Sequence, residues 1–186
     1  MAWAVLGLVQ VWGEWEAIFP VRLGLSLLQM GIGWLFVLRP VAAEQGDWKA
    51  LLLSLPSFVA SGWMYKLSLP LVDWAMGPRI LFGIAVCWVG LSFWNLRGSF
   101  AIFPARRDIV RGGLYRLVRH PAYLGELLMA AACGWAAGNF LALACGLVLV
   151  PLLVLRIRQE EALLRHDLLY QFYAEQTRWR LVPGIW

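Results

Sequence analysis

The stretch Arg119-His120-Pro121-Ala122-Tyr123-Leu124-Gly125-Glu126 is where a charged loop enters a hydrophobic run. A guanidinium, an imidazole, a phenol and a carboxylate stand together in a chain that is otherwise mostly apolar. His120 suits the N-cap of a helix and Pro121 its first residue, where the missing N–H is not needed and φ is already helical. The apolar run that follows, 121–138, is either the core helix of a soluble domain or a membrane span. Composition decides between them.

The chain is 61% hydrophobic and 15% charged over 186 residues, with a mean hydropathy of +0.68. Soluble domains run closer to half apolar and a quarter charged. A chain this apolar has too little polar surface to face water, so an all-α, polytopic membrane helix bundle follows. Twelve Trp fit aromatic belts at the two membrane interfaces. The net charge of +5 reads as basic loops facing the cytoplasm, not as a nucleic-acid surface. Cys87, Cys133 and Cys145 are isolated in apolar runs and read as buried small hydrophobes. With no CxxC pair and only His120 and His166, no metal centre is expected.

Outward from the opening stretch, five spans are expected, at about 21–38, 48–69, 78–96, 121–138 and 140–155, in one domain covering 1–186. Each approaches the ~20 apolar residues that cross a bilayer. Residues 1–20 read as an interfacial stretch and not as a signal peptide, because no basic segment opens it. Glu44-Gln45-Gly46-Asp47 reads as a polar turn. The second span carries Pro56, tolerated in membrane helices with a kink. Gly134 and Gly138 form a small-xxx-small pattern that permits close helix contact, and Asn139 makes a tight turn into the fifth span. Residues 97–120 form a long polar loop broken by Gly98, Pro104 and Gly112-Gly113; a loop of that length is expected to be functional. Residues 156–176 read as an amphipathic cytoplasmic helix and the end of the chain as an extended tail.

With five spans, the segments 39–49, 97–120 and 156–186 share one side. That side holds thirteen Lys and Arg against three on the other (Arg22, Lys66 and Arg79). The positive-inside rule then places the long loop, Glu160-Glu161 and the C-terminus in the cytoplasm and the N-terminus outside.

A helix N-terminus presents unpaired N–H groups and a partial positive charge, so the His120 turn attracts an anion. Arg119 adds a full charge. Glu126 stands at i+3 from Tyr123, so both share one face. A carboxylate just inside an apolar slab is costly and implies function, with a basic partner expected; Arg119 or a residue of the third span would serve. Glu160 and Glu161 follow the fifth span, and the tight hairpin returns them close to the start of the fourth. Basic and acidic groups then meet in one site. A zwitterionic ligand carrying both carboxylate and amine would be matched at both ends.

In order along the chain stand Arg97-Gly98-Ser99-Phe100, Gly113-Leu114-Tyr115-Arg116, Arg119-His120-Pro121-x-Tyr123-Leu124-Gly125, Glu160-Glu161-x-x-Leu164 and Arg180-Leu181-Val182-Pro183. This set resembles the isoprenylcysteine carboxyl methyltransferase and phospholipid methyltransferase superfamily. The likeness covers about the C-terminal half; the earlier residues share only hydrophobic spans. The resemblance implies a helical membrane methyltransferase using S-adenosylmethionine, with its cofactor segments at 97–126 and 156–183 and its site reached from the cytosol. The lipid or other lipophilic substrate enters sideways from the bilayer, among membrane lipids. By the same resemblance His120, Tyr123, Leu124, Glu160 and Glu161 line the cofactor pocket, with Tyr115 and Arg119 supporting, and Arg180 orients the acceptor. Arg178 is the alternative to Arg180, and Tyr170 and Tyr173 stand for the family's Tyr-x-x-Tyr pair.

Methyl transfer from a sulfonium is an in-line displacement that needs alignment more than acid or base. A carboxylate acceptor, as in a prenylcysteine-like molecule, needs only a positioned cation such as Arg180. An amine acceptor, as in a phospholipid headgroup, must first lose a proton, which Glu126 could take. Two other readings stand beside methyl transfer: a sterol-reductase-like membrane reductase using NADPH, and a non-catalytic membrane scaffold. A transporter would show paired repeats and matching broken helices, and the sequence has neither.

Overall fold

A computed structural model of the protein describes residues 44–45, 48–68, 71–96, 105–106 and 109–186. The expected span over 21–38 and the interfacial stretch before it lie outside the described residues. So do parts of the long loop. Among the described residues the chain is helical apart from one short strand pairing. In chain order the elements are β1 (Glu44–Gln45), α1 (Trp48–Leu67), α2 (Met76–Leu96), β2 (Ala105–Arg106), α3 (Pro121–Ala137), α4 (Phe140–Leu164) and α5 (Leu168–Gln176). Short 3₁₀ turns stand at Leu71–Asp73 and Gly113–Arg116.

The start of α3 is where the sequence puts it. His120 occupies the N-cap position and Pro121 opens the helix. The turn into α4 also follows from its residues. Gly138 closes α3 in the left-handed region at φ 58, which glycine adopts without the Cβ penalty. Asn139 then caps α4, its Oδ1 accepting from Ala142 N at 2.9 Å. α1 remains helical through Pro56.

Three expectations are corrected. Glu44 and Gln45 do not form a free turn: they pair antiparallel with Arg106 and Ala105. Backbone hydrogen bonding there satisfies part of a loop that composition alone reads as open. The helix expected over 156–176 is neither separate from the 140–155 span nor continuous to its end. The span's helix runs on to Leu164, breaks at residues 165–167, and resumes as α5 on an Asp167 cap whose Oδ1 accepts from Leu169 N at 2.8 Å. Charges end an apolar run without ending a helix, since Arg, Gln and Glu are good helix formers. The tail is not extended either. The amides of Arg180, Leu181 and Val182 converge on Trp186 O at 3.0, 3.0 and 3.3 Å.

α2 and α4 are long and apolar enough to cross a membrane. The inward face of the bundle holds Met64, Phe82, Val86, Ala132, Cys133, Leu149 and Leu153, with Trp74 edge-on to Phe82 at 5.3 Å. The outward faces remain apolar: Ile80, Ile84, Leu91 and Trp94 on α2, and Leu143, Leu147, Val150 and Leu155 on α4, are all exposed. A helix that is hydrophobic all round belongs in lipid or in a large core, and the exposed half of these two has no protein cover among the described residues. Cys87, expected to be buried, is on the exposed side; Cys133 is buried.

The helices pack closely where glycine allows it. A Cβ on Gly125 of α3 would run into the Val89 side chain and meet Trp88 of α2 at 3.2 Å. A Cβ on Gly134 would meet the flexible Met64 Cε of α1 at 3.1 Å, while Gly138 faces open space. Half of the small-xxx-small pattern thus packs inside the bundle, and the other half closes the helix. Gly125→Leu is expected to destabilise the protein by about 1–3 kcal/mol, the usual weight of overpacking. Gly134→Ala should change it little, because a Met terminus can yield. Unfolding temperatures in detergent distinguish the two.

Candidate functional site

The site gathers where the start of α3, the polar end of α4 and the tail converge. Trp88 of α2 donates its Nε1–H to Pro121 O at 2.9 Å, holding the first turn of α3. Two backbone bonds then lay the tail along the segment before α3: Arg119 N to Trp179 O and His120 N to Arg180 O, both 2.9 Å. Residues far apart in the chain are joined before any side chain is considered.

Glu161 is the centre. Its carboxylate is buried, with 3% of the side chain exposed, and lies beyond the apolar run that ends at Leu155. Arg119 Nη1 stands 2.9 Å from Oε1. Arg180 donates Nε–H to Oε2 at 2.8 Å. His120 Nε2 lies 3.3 Å from Oε1. Burial alone would push this carboxyl up, but the hydrogen bonds of His120 and Arg180 and the neighbouring positive charge hold it down at about 2. A charge taken from water needs that degree of compensation.

Glu160 sits one residue earlier and is more open. Its Oε2 accepts from Tyr123 Oη at 2.7 Å and lies 3.8 Å from His120 Nδ1. The imidazole therefore stands between two carboxylates, stacked on the Tyr123 ring at 5.5 Å. Tyr115 contributes its carbonyl, which accepts from Tyr173 Oη at 2.7 Å and Thr177 Oγ1 at 3.4 Å, tying α5 to the 3₁₀ turn. Burial and the Glu160 charge push the Tyr115 phenol up, so it remains a neutral donor. Leu124 is half-buried in the first turn of α3, its amide bonded to His120 O at 3.2 Å.

Six of the expected residues are thus brought together by direct contact: Arg119, His120, Tyr123, Glu160, Glu161 and Arg180. Tyr115 stands near enough to feel the Glu160 charge and is bonded to Tyr173 and Thr177. The two tail arginines part ways. Arg180 reaches the cluster, whereas Arg178 is exposed and lies over the Trp179 ring at 5.1 Å, contributing only its carbonyl to Arg119.

Glu126 belongs to a second polar cluster, deeper in the bundle. It accepts from Ser61 Oγ of α1 at 2.6 Å and stands 3.4 Å from Arg156 Nη1. Its basic partner is therefore neither Arg119 nor a residue of α2 but Arg156, which the charge count had placed among the cytoplasmic arginines. The expectation that an intramembrane carboxylate has a cation beside it holds, but it carried no signal for Arg156. Nothing in the sequence marked Ser57, Ser61 or Trp88.

The donor set suits a polar, doubly charged ligand. Glu160 and Arg180 keep 33% and 31% of their side chains exposed, one anionic and one cationic. Tyr170 Oη is buried without a well-formed hydrogen bond among the described residues. Burial and the adjacent Glu161 charge push its phenol up, so it too remains a donor, with the Arg119 charge nearby.

Because Glu161 is depressed from 4.5 to about 2 in the folded chain, its stabilisation is complete above the ordinary carboxylate range. It is lost as pH falls from 4.5 toward about 2. Glu161→Gln should lower the unfolding temperature at neutral pH, where Arg119 and Arg180 lose their anion. It should also remove this part of the acid destabilisation. Melting curves in detergent across that pH range test both.

The model of the isoprenylcysteine carboxyl methyltransferase family matches residues 74–166, half of the chain. Neither the curated proteins nor the solved structures yield a match. The matched region runs from the start of α2 through Glu160 and Glu161 and takes in the whole His120 turn. The chain belongs to the isoprenylcysteine carboxyl methyltransferase family, whose members are membrane-integral methyltransferases.

Proposed function

We propose that the protein transfers a methyl group from S-adenosylmethionine to the carboxylate of a lipophilic, prenylcysteine-like acceptor that arrives from the bilayer. The observation that carries this reading is the Glu160–Glu161 pair meeting Arg119 and His120 within the family-matched residues, with Arg180 joining from the tail beyond them. A ligand with an amino-acid zwitterion finds anionic and cationic groups at one place. Glu160, Glu161, His120, Tyr123 and Leu124 line the cofactor, with Tyr115 and Arg119 in support. When bound, S-adenosylmethionine supplies an electrophilic methyl on its sulfonium. The chain's own task is then alignment and exclusion of water.

Arg180 is the group assigned to the acceptor. Its Nε is engaged by Glu161, its Cζ lies 5.3 Å from the centre of the Trp186 ring, and 31% of its side chain is exposed; a carboxylate reaching its remaining N–H groups would form a charge-assisted pair. A carboxylate acceptor needs only the Arg180 cation and no base. Phospholipid headgroup amines are the second reading; there Glu126, with one oxygen accepting from Ser61 and the other against Arg156, would take the proton that an ammonium must lose. In the proposed topology the protein is multi-pass with five spans, its site and C-terminus on the cytoplasmic side and its N-terminus outside.

His120→Ala and Glu161→Ala are expected to weaken S-adenosylhomocysteine binding by about tenfold or more, the weight of a hydrogen bond to a charged group. Calorimetry on the detergent-purified protein measures this, and unchanged affinity in both variants refutes the site. Arg180→Ala should depress turnover on a prenylcysteine-like acid more than it weakens cofactor binding. If Arg178→Ala alone does so, the assignment of Arg180 is wrong.

A further inference from the structure

We infer that Arg156 is a positioning residue for the site: it holds the Tyr123 phenol, and through it the Glu160 carboxylate, and is itself held from α1. The inference rests on the reading of the His120–Glu161 cluster as the cofactor site.

Arg156 is buried, with 4% of its side chain exposed. From α4 its guanidinium reaches three groups on two other helices, α1 and α3. Nη1 stands 3.4 Å from Glu126 Oε2 of α3 and donates to Ser57 Oγ of α1 at 3.4 Å. Its Cζ lies 4.5 Å from the centre of the Tyr123 ring. That ring also stacks on His120, with the planes 17° apart, and its hydroxyl donates to Glu160 Oε2 at 2.7 Å. The phenol is therefore in contact with a guanidinium, an imidazole and a carboxylate, and only Arg156 among these comes from the deeper cluster.

The arrangement has a physical logic that stability alone does not supply. A buried ion pair is often matched or exceeded in stability by apolar residues of similar volume. What apolar residues cannot do is orient a neighbouring polar ring. The planar guanidinium can both pair with a carboxylate and lie against an aromatic ring, which an ammonium cannot do in the same way. Ser57 and Ser61 stand four apart, on one face of α1, and each bonds one partner of the Arg156–Glu126 pair. α1 lies outside the family-matched residues 74–166. A helix not covered by the family match thus fixes the charge that fixes the site.

The test is S-adenosylhomocysteine affinity by calorimetry on the full chain in detergent, for wild type, Arg156→Lys, Tyr123→Phe and the two combined. Lysine keeps a cation for Glu126 and should preserve the unfolding temperature while releasing the ring. Arg156→Lys is expected to weaken binding about tenfold, as is Tyr123→Phe, each losing the use of one hydrogen bond to a charged group. Combined, the losses should not multiply, because both act through the same phenol. Should Arg156→Lys fold poorly, Arg156→Met with Glu126→Gln removes both charges at similar volume and takes its place in the cycle. Unchanged affinity on substituting Arg156, or losses that multiply independently, overturns the inference while leaving the cofactor site standing. Absence of binding by wild type overturns the reading of the site and this inference with it.

Discussion

One buried carboxylate organises this molecule. Glu161 sits almost wholly out of water, and a charge so placed is tolerated only when neighbours neutralise it. The neighbours come from two separate segments: Arg119 and His120 from the loop before α3, and Arg180 from the tail. Each must reach the end of α4, so the loop and the tail must lie side by side there. The backbone bonds between His120 and Arg180 and between Arg119 and Trp179 are the consequence. The first turn of α3 is tied in turn to α2 through Trp88. Neutralising Glu161 therefore fixes the relative placement of loop, tail, α3 and α4, and leaves Glu160 beside it at the more open edge.

A second constraint acts in the apolar layer. There, polar groups have no water to turn to, and they collect around one another. Glu126, Arg156, Ser57 and Ser61 form such a set across three helices. It lies close to the Glu161 cluster and touches it through Tyr123, whose ring meets Arg156 and whose hydroxyl meets Glu160. Two polar clusters joined by one aromatic residue make a compact way to hold a rigid site at the boundary of a membrane. The outward faces of α2 and α4 stay apolar, as lipid requires.

Much of this was legible beforehand. The hydrophobic runs located α2, α3 and α4, because a span must be long and apolar whatever it packs against. Pro121, Gly138 and Asn139 marked helix ends through backbone chemistry that acts locally. The motif around His120 and the acidic pair pointed to a methyltransferase family, and the family match over residues 74–166 supports it. That the 140–155 span and the charged residues after it form one helix, and that this helix breaks at residues 165–167, was not legible: a change from apolar to charged residues resembles the end of a span, and Arg165-His166-Asp167 holds neither Gly nor Pro. The folding back of the tail onto Trp186 was not legible either, since it depends on amides and a carbonyl that carry no residue-type signal.

The sequence by itself determined the class of molecule, the main helices and the identity of the groups that carry chemistry, because these follow from hydrophobicity, local backbone preference and residue type. Only the tertiary structure decided which charge meets which. Arg156 reads as one more cytoplasmic cation until it is seen buried against Glu126 and Ser57, the latter 99 positions away. Arg178 and Arg180 read alike until one lies over Trp179 and the other reaches Glu161. The reason is physical: the energy of a charge is set by how far it is removed from water and by what stands within a few ångströms. Both are properties of packing between distant segments.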